Sequence, residues 1–423
     1  MSEPDALAET IDHLFRHEYG KITSVLTRIF GTHNLELAED IVQDTLLKAM
    51  EQWRFSGIPQ QPSSWLYKVA RNKAIDVIRR EKRHRKFAAD VAPLLQSEYT
   101  LVPTIKELFT ENHIQDDVLR MMFSCCHPDL PSESQVALIL KTLCGFSIEE
   151  IAKAFLTGQD TINKRLYRAR QQFRDGEVKF EIPQAHQLES RLENVLTALY
   201  LLFNEGYNST NNDQLIRKDL VEEASRLCLL LTQNPLTDRP KVSALLSLML
   251  FHASRLETRL DDQYNILLLE DQDRSKWDIE LIQAGIHYFE NSMQDATYNL
   301  YQLQAGIAMQ HAIAPSYEAT DWMMILNLYH VICRLFPSPV ASLNRAIVLA
   351  QIEGTSRGIQ EILQLPDKVK LNGYYLLPAT LGELYLRQGD KELAKKYFSE
   401  AILLTQSPAE KKLLSAKMEK CND

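Results

Sequence analysis

SIEEIAKAF (147–155), LTGQD (156–160) and TINKRLYRARQQFR (161–174) are consecutive strings whose reading decides the fold of this chain. Ser147 is followed three residues on by Glu150, a capping box that starts a helix. Ala152 is small, as a residue must be where two helices cross. LTGQD holds Gly158 and reads as a turn, after which Asp160 or Thr161 caps a second helix. Ile162, Leu166, Ala169 and Phe173 recur at spacings of three and four, so they form that helix's buried stripe. Asn163, Lys164, Tyr167, Arg168 and Arg170 are left to face outward. Residues 161–174 carry five Lys/Arg and no acid. A short helix, a turn and a basic second helix make a helix-turn-helix, whose second helix offers donors to a major groove and its phosphates.

Upstream lies a second basic segment, SWLYKVARNKAIDVIRREKRHRK (64–86), with nine Lys/Arg against Asp76 and Glu81, net +7. Trp65, Leu66, Val69, Ile75 and Ile78 fall roughly on one helical face. A charge run is often only a solvated face. Here the excess is one-signed, and Trp53, Phe55, Trp65 and Tyr67 interleave with it. Cations beside stacking surfaces are what a single-stranded nucleic acid needs, although Trp65 also suits a core. Before this segment, AEDIVQDTLLKAMEQW (38–53) reads as a helix with Glu36, Asp40 and Asp44 on one face and Ile41, Leu47 and Met50 on another. By spacing alone the acidic face is either solvated or the seat of a cationic partner. Residues 87–116, with Pro93 and Pro103 and no sustained period, read as a linker.

The whole chain of 423 residues has 47 Lys+Arg and 56 Asp+Glu, net −9, and is 45% hydrophobic. That composition excludes a disordered or collagen-like chain. The net charge taken alone argues against nucleic acid, but it is unevenly spread: residues 1–180 are net −1 and residues 181–423 are net −8. No apolar run approaches the ~18 residues of a membrane span; ALLSLMLF (244–251) suits a buried helix. The N-terminus lacks the pattern of a signal peptide. None of Cys125, Cys126, Cys144, Cys228, Cys333 and Cys421 forms a C-x₂-C pair. Cys125-Cys126-His127 therefore reads as buried small residues, not as a metal site, and a reducing cytoplasm fits best.

The C-terminal half is helical by period throughout. Leu381, Gly382, Tyr385, Ala394, Phe398 and Ala401 occupy the small, aromatic and apolar positions of a tetratricopeptide (TPR) repeat of about 34 residues. Its turn, Gly389-Asp390, has a counterpart at Gly354-Thr355, 35 residues earlier. Stacked repeats of this kind present a concave face to peptides or proteins. The polar group Asp271, Gln272, Asp273, Arg274 and Trp277, with Asp321 and Trp322, reads either as caps and interhelix ion pairs or as a ligand site, the structural role being favoured. No nucleophile–base pair, glycine-rich phosphate loop or H-E-x-x-H is present, so no enzyme activity, cofactor or metal is expected.

AEDIVQDTLLKAMEQW, SWLYKVARNKAIDVIRR and FSIEEIAKAF…TINKRLYRAR, in this order, resemble a bacterial extracytoplasmic-function (ECF) RNA polymerase sigma factor. DDVLRMMFSCCHPDLP (116–131), LYLLFNEGY (199–207), QDRSKWD (272–278), TDWMMILNLY (320–329) and SPVASLNRAI (338–347) look like the ECF subgroup with a long TPR-like C-terminal extension. The resemblance implies an all-α chain. Two small helical sigma domains, the second a helix-turn-helix, are joined by a linker and followed by a TPR-like helical-repeat domain. Its expected parts are region 2 at 1–90, the linker at 91–116, region 4 at 117–180 and a regulatory extension at 181–423. It implies docking on core polymerase by Asp40, Gln43, Asp44 and Leu47. It implies −10 handling by Phe55, Trp65, Lys68, Arg71, Asn72, Arg79, Arg80 and Arg83, with Asn72 lining a pocket for a flipped base. It implies −35 reading by Thr161, Asn163, Lys164, Arg165, Tyr167 and Arg168. Leu156 stands where most ECF factors have Gly, and Asn163 replaces a commoner basic residue. The expected partners are core RNA polymerase and promoter DNA, with a regulatory protein or peptide on the extension. The competing reading is a one-component regulator, in which the helix-turn-helix binds an operator and the repeats sense a ligand or peptide.

Overall fold

A computed structural model describes residues 3–81, 87, 91–95, 98–155, 157–175, 178–208, 216–294, 297–365 and 368–422. Among them the chain is all-α: helices follow one another with no strand, and one isolated bridge joins Leu260 to Ile266. It divides into two compact units, 1–205 with 222–237, and 206–221 with 238–423.

The first unit begins with α1 (Glu3–Phe30), α2 (Leu35–Ser56) and α3 (Pro62–Glu81). Gly31 and Gly57, with φ of 84° and 75°, end α1 and α2 in a conformation that favours glycine. Next come α4 (Ala92–Leu95), α5 (Glu98–Leu108) and α6 (Glu111–Cys125). Most of the stretch expected to be a linker is thus helical. Leu101, Ile105 and Leu108 of α5 are buried, but an 11-residue helix shows too few turns to establish a period. The helix-turn-helix consists of α7 (Ser132–Thr142), α8 (Ile148–Ala154) and α9 (Gln159–Arg174). Its capping box forms: the Ser147 amide donates to Glu150 Oε2 at 2.8 Å and the Glu150 amide to Ser147 Oγ at 3.2 Å. Helix α1 packs against α2, α3, α6 and α7. Its Ile22, Val25, Leu26, Ile29 and Phe30 are fully buried. The approach to α7 is close at Gly20, where a Cβ would strike the Leu143 carbonyl. Helices α10 (Ala185–Tyr207) and α11 (Lys218–Thr232) lie mainly in this unit, up to Glu205 and from Glu222. Cys125 and Cys126 are buried; burial pushes the Cys125 thiol up to about 12, and its sulfur lies 3.5 Å from Thr142 Oγ1.

The second unit is a serial array: α12 (Pro240–Ala253), α13 (Ile279–Ser292), α14 (Leu300–Ile313), α15 (Trp322–Leu335), α16 (Pro339–Glu353), α17 (Thr355–Leu363), α18 (Leu376–Gln388), α19 (Lys391–Leu404) and α20 (Pro408–Glu419). Each helix packs against the next, so its core is built from neighbour to neighbour. In the α18–α19 hairpin, Leu381, Ala394, Phe398 and Ala401 are buried, and a Cβ on Gly382 would meet the Phe398 ring at 2.8 Å. Gly389 turns the hairpin at φ 89°. Caps account for Asp273 and Asp321 of the polar group and for Asp278 beside it. Asp273 Oδ1 accepts from the Ser275 amide, and Asp278 and Asp321 cap α13 and α15.

Candidate nucleic-acid interface

Helix α2 buries Ala38, Glu39, Ile41, Val42, Thr45, Ala49 and Trp53. The opposite face exposes Asp40, Gln43, Asp44 and Leu47, the four residues expected to dock on polymerase. Leu47 and Met50 do not join Ile41 in an apolar face; they are 58% and 55% exposed beside the carboxylates. At about 100° per residue, Leu47 is turned about 120° away from Ile41. Asp44 accepts from Lys73 Nζ at 2.8 Å, and Glu36 pairs with Arg174 at 3.2 Å.

Helix α3 turns Leu66, Ala70, Ala74, Ile75 and Ile78 inward. Lys68, Asn72, Arg79 and Arg80 are exposed and Arg71 is half-buried. Phe55, near the end of α2, is 87% exposed. Trp65 is half-buried, edge-on to Trp53 at 5.3 Å. Two of the aromatics expected as stacking surfaces are structural instead. Trp53 is buried, and the Tyr67 hydroxyl donates to Glu18, as does Ser63 at 3.0 Å. Burial alone would raise the Glu18 carboxyl. Hydrogen bonding with His17, the Lys21 charge and the Tyr67 hydroxyl outweigh it and hold the carboxyl at about 2. Arg83, the last residue expected at the −10 element, lies outside the described residues.

Helix α9 begins at Gln159 with Gly158 at its cap, so neither Asp160 nor Thr161 caps it. Leu156, before it, lies outside the described residues. Ile162, Leu166, Ala169 and Phe173 are buried, while Thr161, Asn163, Lys164, Tyr167 and Arg168 are exposed. Two basic residues depart from expectation. Arg165 pairs with Glu133 of α7 and lies over the Phe155 ring, its guanidinium carbon 5.4 Å from the centroid. Arg170 faces inward and donates to Glu39 Oε2 at 2.7 Å. Burial raises the Glu39 carboxyl above the usual range even with Arg170 beside it. Arg165–Glu133 ties α9 to α7 within the helix-turn-helix, while Arg170–Glu39 and Arg16–Glu150 at 2.9 Å join it to α2 and α1. They were missed in the sequence. The available signal was Glu39 itself, an acid standing among Ala38, Ile41 and Val42 on the buried face.

Comparison with known proteins bears on this arrangement. Residues 14–84 match the model of Sigma-70 region 2, residues 120–173 that of Sigma-70 region 4, and residues 191–293 a family of unknown function, DUF6596. The "Uncharacterized protein R00370" of Rhizobium meliloti is 35% identical over 89% of this chain and 88% of its own length. The ECF RNA polymerase sigma factor SigW of Bacillus subtilis is 27% identical over 41% of this chain and 89% of its own length. Over its two Sigma-70 regions the chain is similar to ECF-type sigma factors. The ECF RNA polymerase sigma factor SigE of Mycolicibacterium smegmatis is 28% identical over 39% of this chain and 60% of that protein. No solved structure matches. The region 2 match begins inside α1 and takes in α2 and α3, and the region 4 match takes in α7, α8 and all but the last residue of α9. No helix among the described residues is long and apolar enough to cross a membrane.

Proposed function

We propose that this chain is a promoter-specificity subunit of RNA polymerase, acting in the cytoplasm without an active site of its own. Asp40, Gln43, Asp44 and Leu47 dock on the core enzyme. Phe55, Trp65, Lys68, Arg71, Asn72, Arg79, Arg80 and Arg83 hold the opened −10 region, with Asn72 lining the pocket of an extruded base. Thr161, Asn163, Lys164, Tyr167 and Arg168 read the −35 element, and Arg165 keeps α9 in place. The TPR-like second unit modulates activity and offers a surface to a regulatory protein or peptide.

One observation carries this reading: α2 leaves its docking set exposed on one face while α3, packed against it, exposes cations and Asn72. A binder of duplex operators has no use for a single-strand site beside a protein-docking face. The test is open-complex formation by the purified chain with core RNA polymerase on the promoter region of its own operon. Transcription dependent on this chain is expected. No transcription, together with tight specific duplex binding by the chain alone, would establish the one-component regulator instead.

A further inference from the structure

The segment between α12 and α13 holds three arginines that make no ion pair among the described residues. Arg255, Arg259 and Arg274 are all half-buried, so solvent reaches them while they have given up part of their hydration. Among the described residues none of the three has a carboxylate within ion-pair distance. Elsewhere in the same unit Arg217 pairs with Asp219, Arg345 with Glu361, Arg357 with Glu361, and Arg387 with Glu383 and Glu270. Glu318 acts on Arg274 only from beyond ion-pair distance, and two acidic residues of the segment are engaged in other ways. Asp273 caps its own turn, and Glu270 belongs to Arg387.

Aromatic rings and neutral acceptors hold the three guanidiniums. Arg259 lies 3.8 Å from the Tyr207 ring centroid and donates to the Tyr207 carbonyl. Arg255 lies 5.6 Å from the same centroid and donates to Gln272 at 3.4 Å. Arg274 lies 4.7 Å from the Trp277 centroid and donates through Nη1 to the carbonyls of His311 and Ala314, the latter at 2.8 Å. Stacking orients a planar guanidinium and leaves its charge in place. Arg274 Nη2 and His311 Nδ1 are buried and have no hydrogen-bond partner. Burial, then Arg255 and Arg274, push His311 down to about 4, so it adds no further positive charge near neutral pH.

Like charges gathered in a partly desolvated place, with an unused donor, call for an anion. Planar, pre-oriented guanidiniums suit the two-oxygen edge of a carboxylate or phosphate. We propose that Arg255, Arg259 and Arg274 form a binding site for the oxyanion group, carboxylate or phosphate, of a small-molecule effector. The site does not rest on the polymerase reading above, because its test measures binding, not transcription.

Full-length protein is titrated with inorganic phosphate and, separately, with citrate, at an ionic strength held constant with chloride. Binding is followed by calorimetry and by the thermal unfolding midpoint. Saturable binding of at least one probe is expected, with a raised midpoint. Arg255→Gln should weaken it about tenfold, the loss of one charge-assisted bond, while Arg345→Gln, whose arginine already has a carboxylate, should leave it unchanged. A response to phosphate alone identifies a phosphoryl ligand, and one to citrate alone a carboxylate ligand. If Arg255→Gln does not fold, Arg255→Lys keeps the charge without the planar fork and should still bind severalfold more weakly. No saturable binding of either probe by the wild-type protein, or equal binding by the wild-type, Arg255 and Arg345 proteins, would overturn the site.

Discussion

Helices α3 and α9 are the two basic helices of the first unit, and they are anchored by opposite means. α9 commits arginines to the fold: Arg165 to Glu133, Arg170 to Glu39 and Arg174 to Glu36. α3 is anchored by apolar residues and by two hydroxyls, Ser63 and Tyr67, that donate to the buried Glu18 of α1. Most of its cations stay exposed, and its one described ion pair to α2, Lys73–Asp44, is at the surface. A net positive charge therefore means different things in the two helices. In α9 three of the five basic residues are paired with the fold, which leaves Lys164 and Arg168. In α3 the buried anchor uses none of it, and Lys68, Arg79 and Arg80 lie exposed.

Replacing Arg170 tests that difference most severely. Arg170→Met leaves Glu39 buried without its cation, a loss of about 3–5 kcal/mol in the stability of the first unit. Arg168→Met, two residues away on the exposed face, should change stability by less than about 0.5 kcal/mol while weakening duplex binding. Denaturant unfolding and a duplex-binding assay separate the two. Burial raises the Glu39 carboxyl, so in Arg170→Met a falling pH lets it take up a proton and the loss should shrink. Adding Glu39→Gln should recover most of it at neutral pH. Equal stability of the two single variants would show that the arginines of α9 are not divided in this way.

Much of this arrangement was legible in the sequence, and the part that was not has a common cause. The stripe Ile162, Leu166, Ala169 and Phe173 repeats within one helix, so local spacing reveals it, and the Ser147–Glu150 box is complete within four residues. Arg170 and Glu39, by contrast, are 131 residues apart. Arg170 looks like a member of a solvated face until the partner helix is in place, and Glu39 stands out on a buried face without showing which cation meets it. The same limit misplaced Trp53 and Tyr67 among the stacking surfaces: period reveals the face of a helix, and only the neighbouring element decides whether that face is wet. In the second unit, the spacing of Leu381, Gly382, Ala394 and Phe398 revealed a helical hairpin because its contacts are nearly local. The arginines at 255 and 259 lie in irregular backbone with no period to show them.

The anchor of α3 makes a prediction of intermediate size. Glu18 has a folded-state carboxyl near 2 against an ordinary value of 4.5. A lowered folded value contributes stability that is complete above the ordinary value and is lost as pH falls from about 4.5 through about 2. At 1.36 kcal/mol per unit this amounts to about 3 kcal/mol. Glu18→Gln should cost a similar amount at neutral pH and flatten the acid limb of the stability profile between pH 5 and 2. An unchanged acid limb would mean that Ser63 and Tyr67 hold α3 without the help of a charged acceptor.

The smallest effect on stability is expected at Asn72, and there the comparison bears on function. Asn72 is exposed on α3, on a different face from the Glu18 anchor and from the buried stripe. Asn72→Ala should leave the unfolding midpoint nearly unchanged, within about 0.5 kcal/mol. Binding to core polymerase should also persist, because the proposed docking set is on α2. Promoter opening should fall, because an extruded base would lose its polar pocket and the few kcal/mol spent on unstacking would no longer be offset. Measuring core affinity and open-complex yield on the same variant separates the two roles. A fall in core affinity with opening per bound complex intact would move Asn72 from the DNA face to the polymerase face. The division proposed here, docking on α2 and strand capture on α3, would then have to be redrawn along the length of both helices.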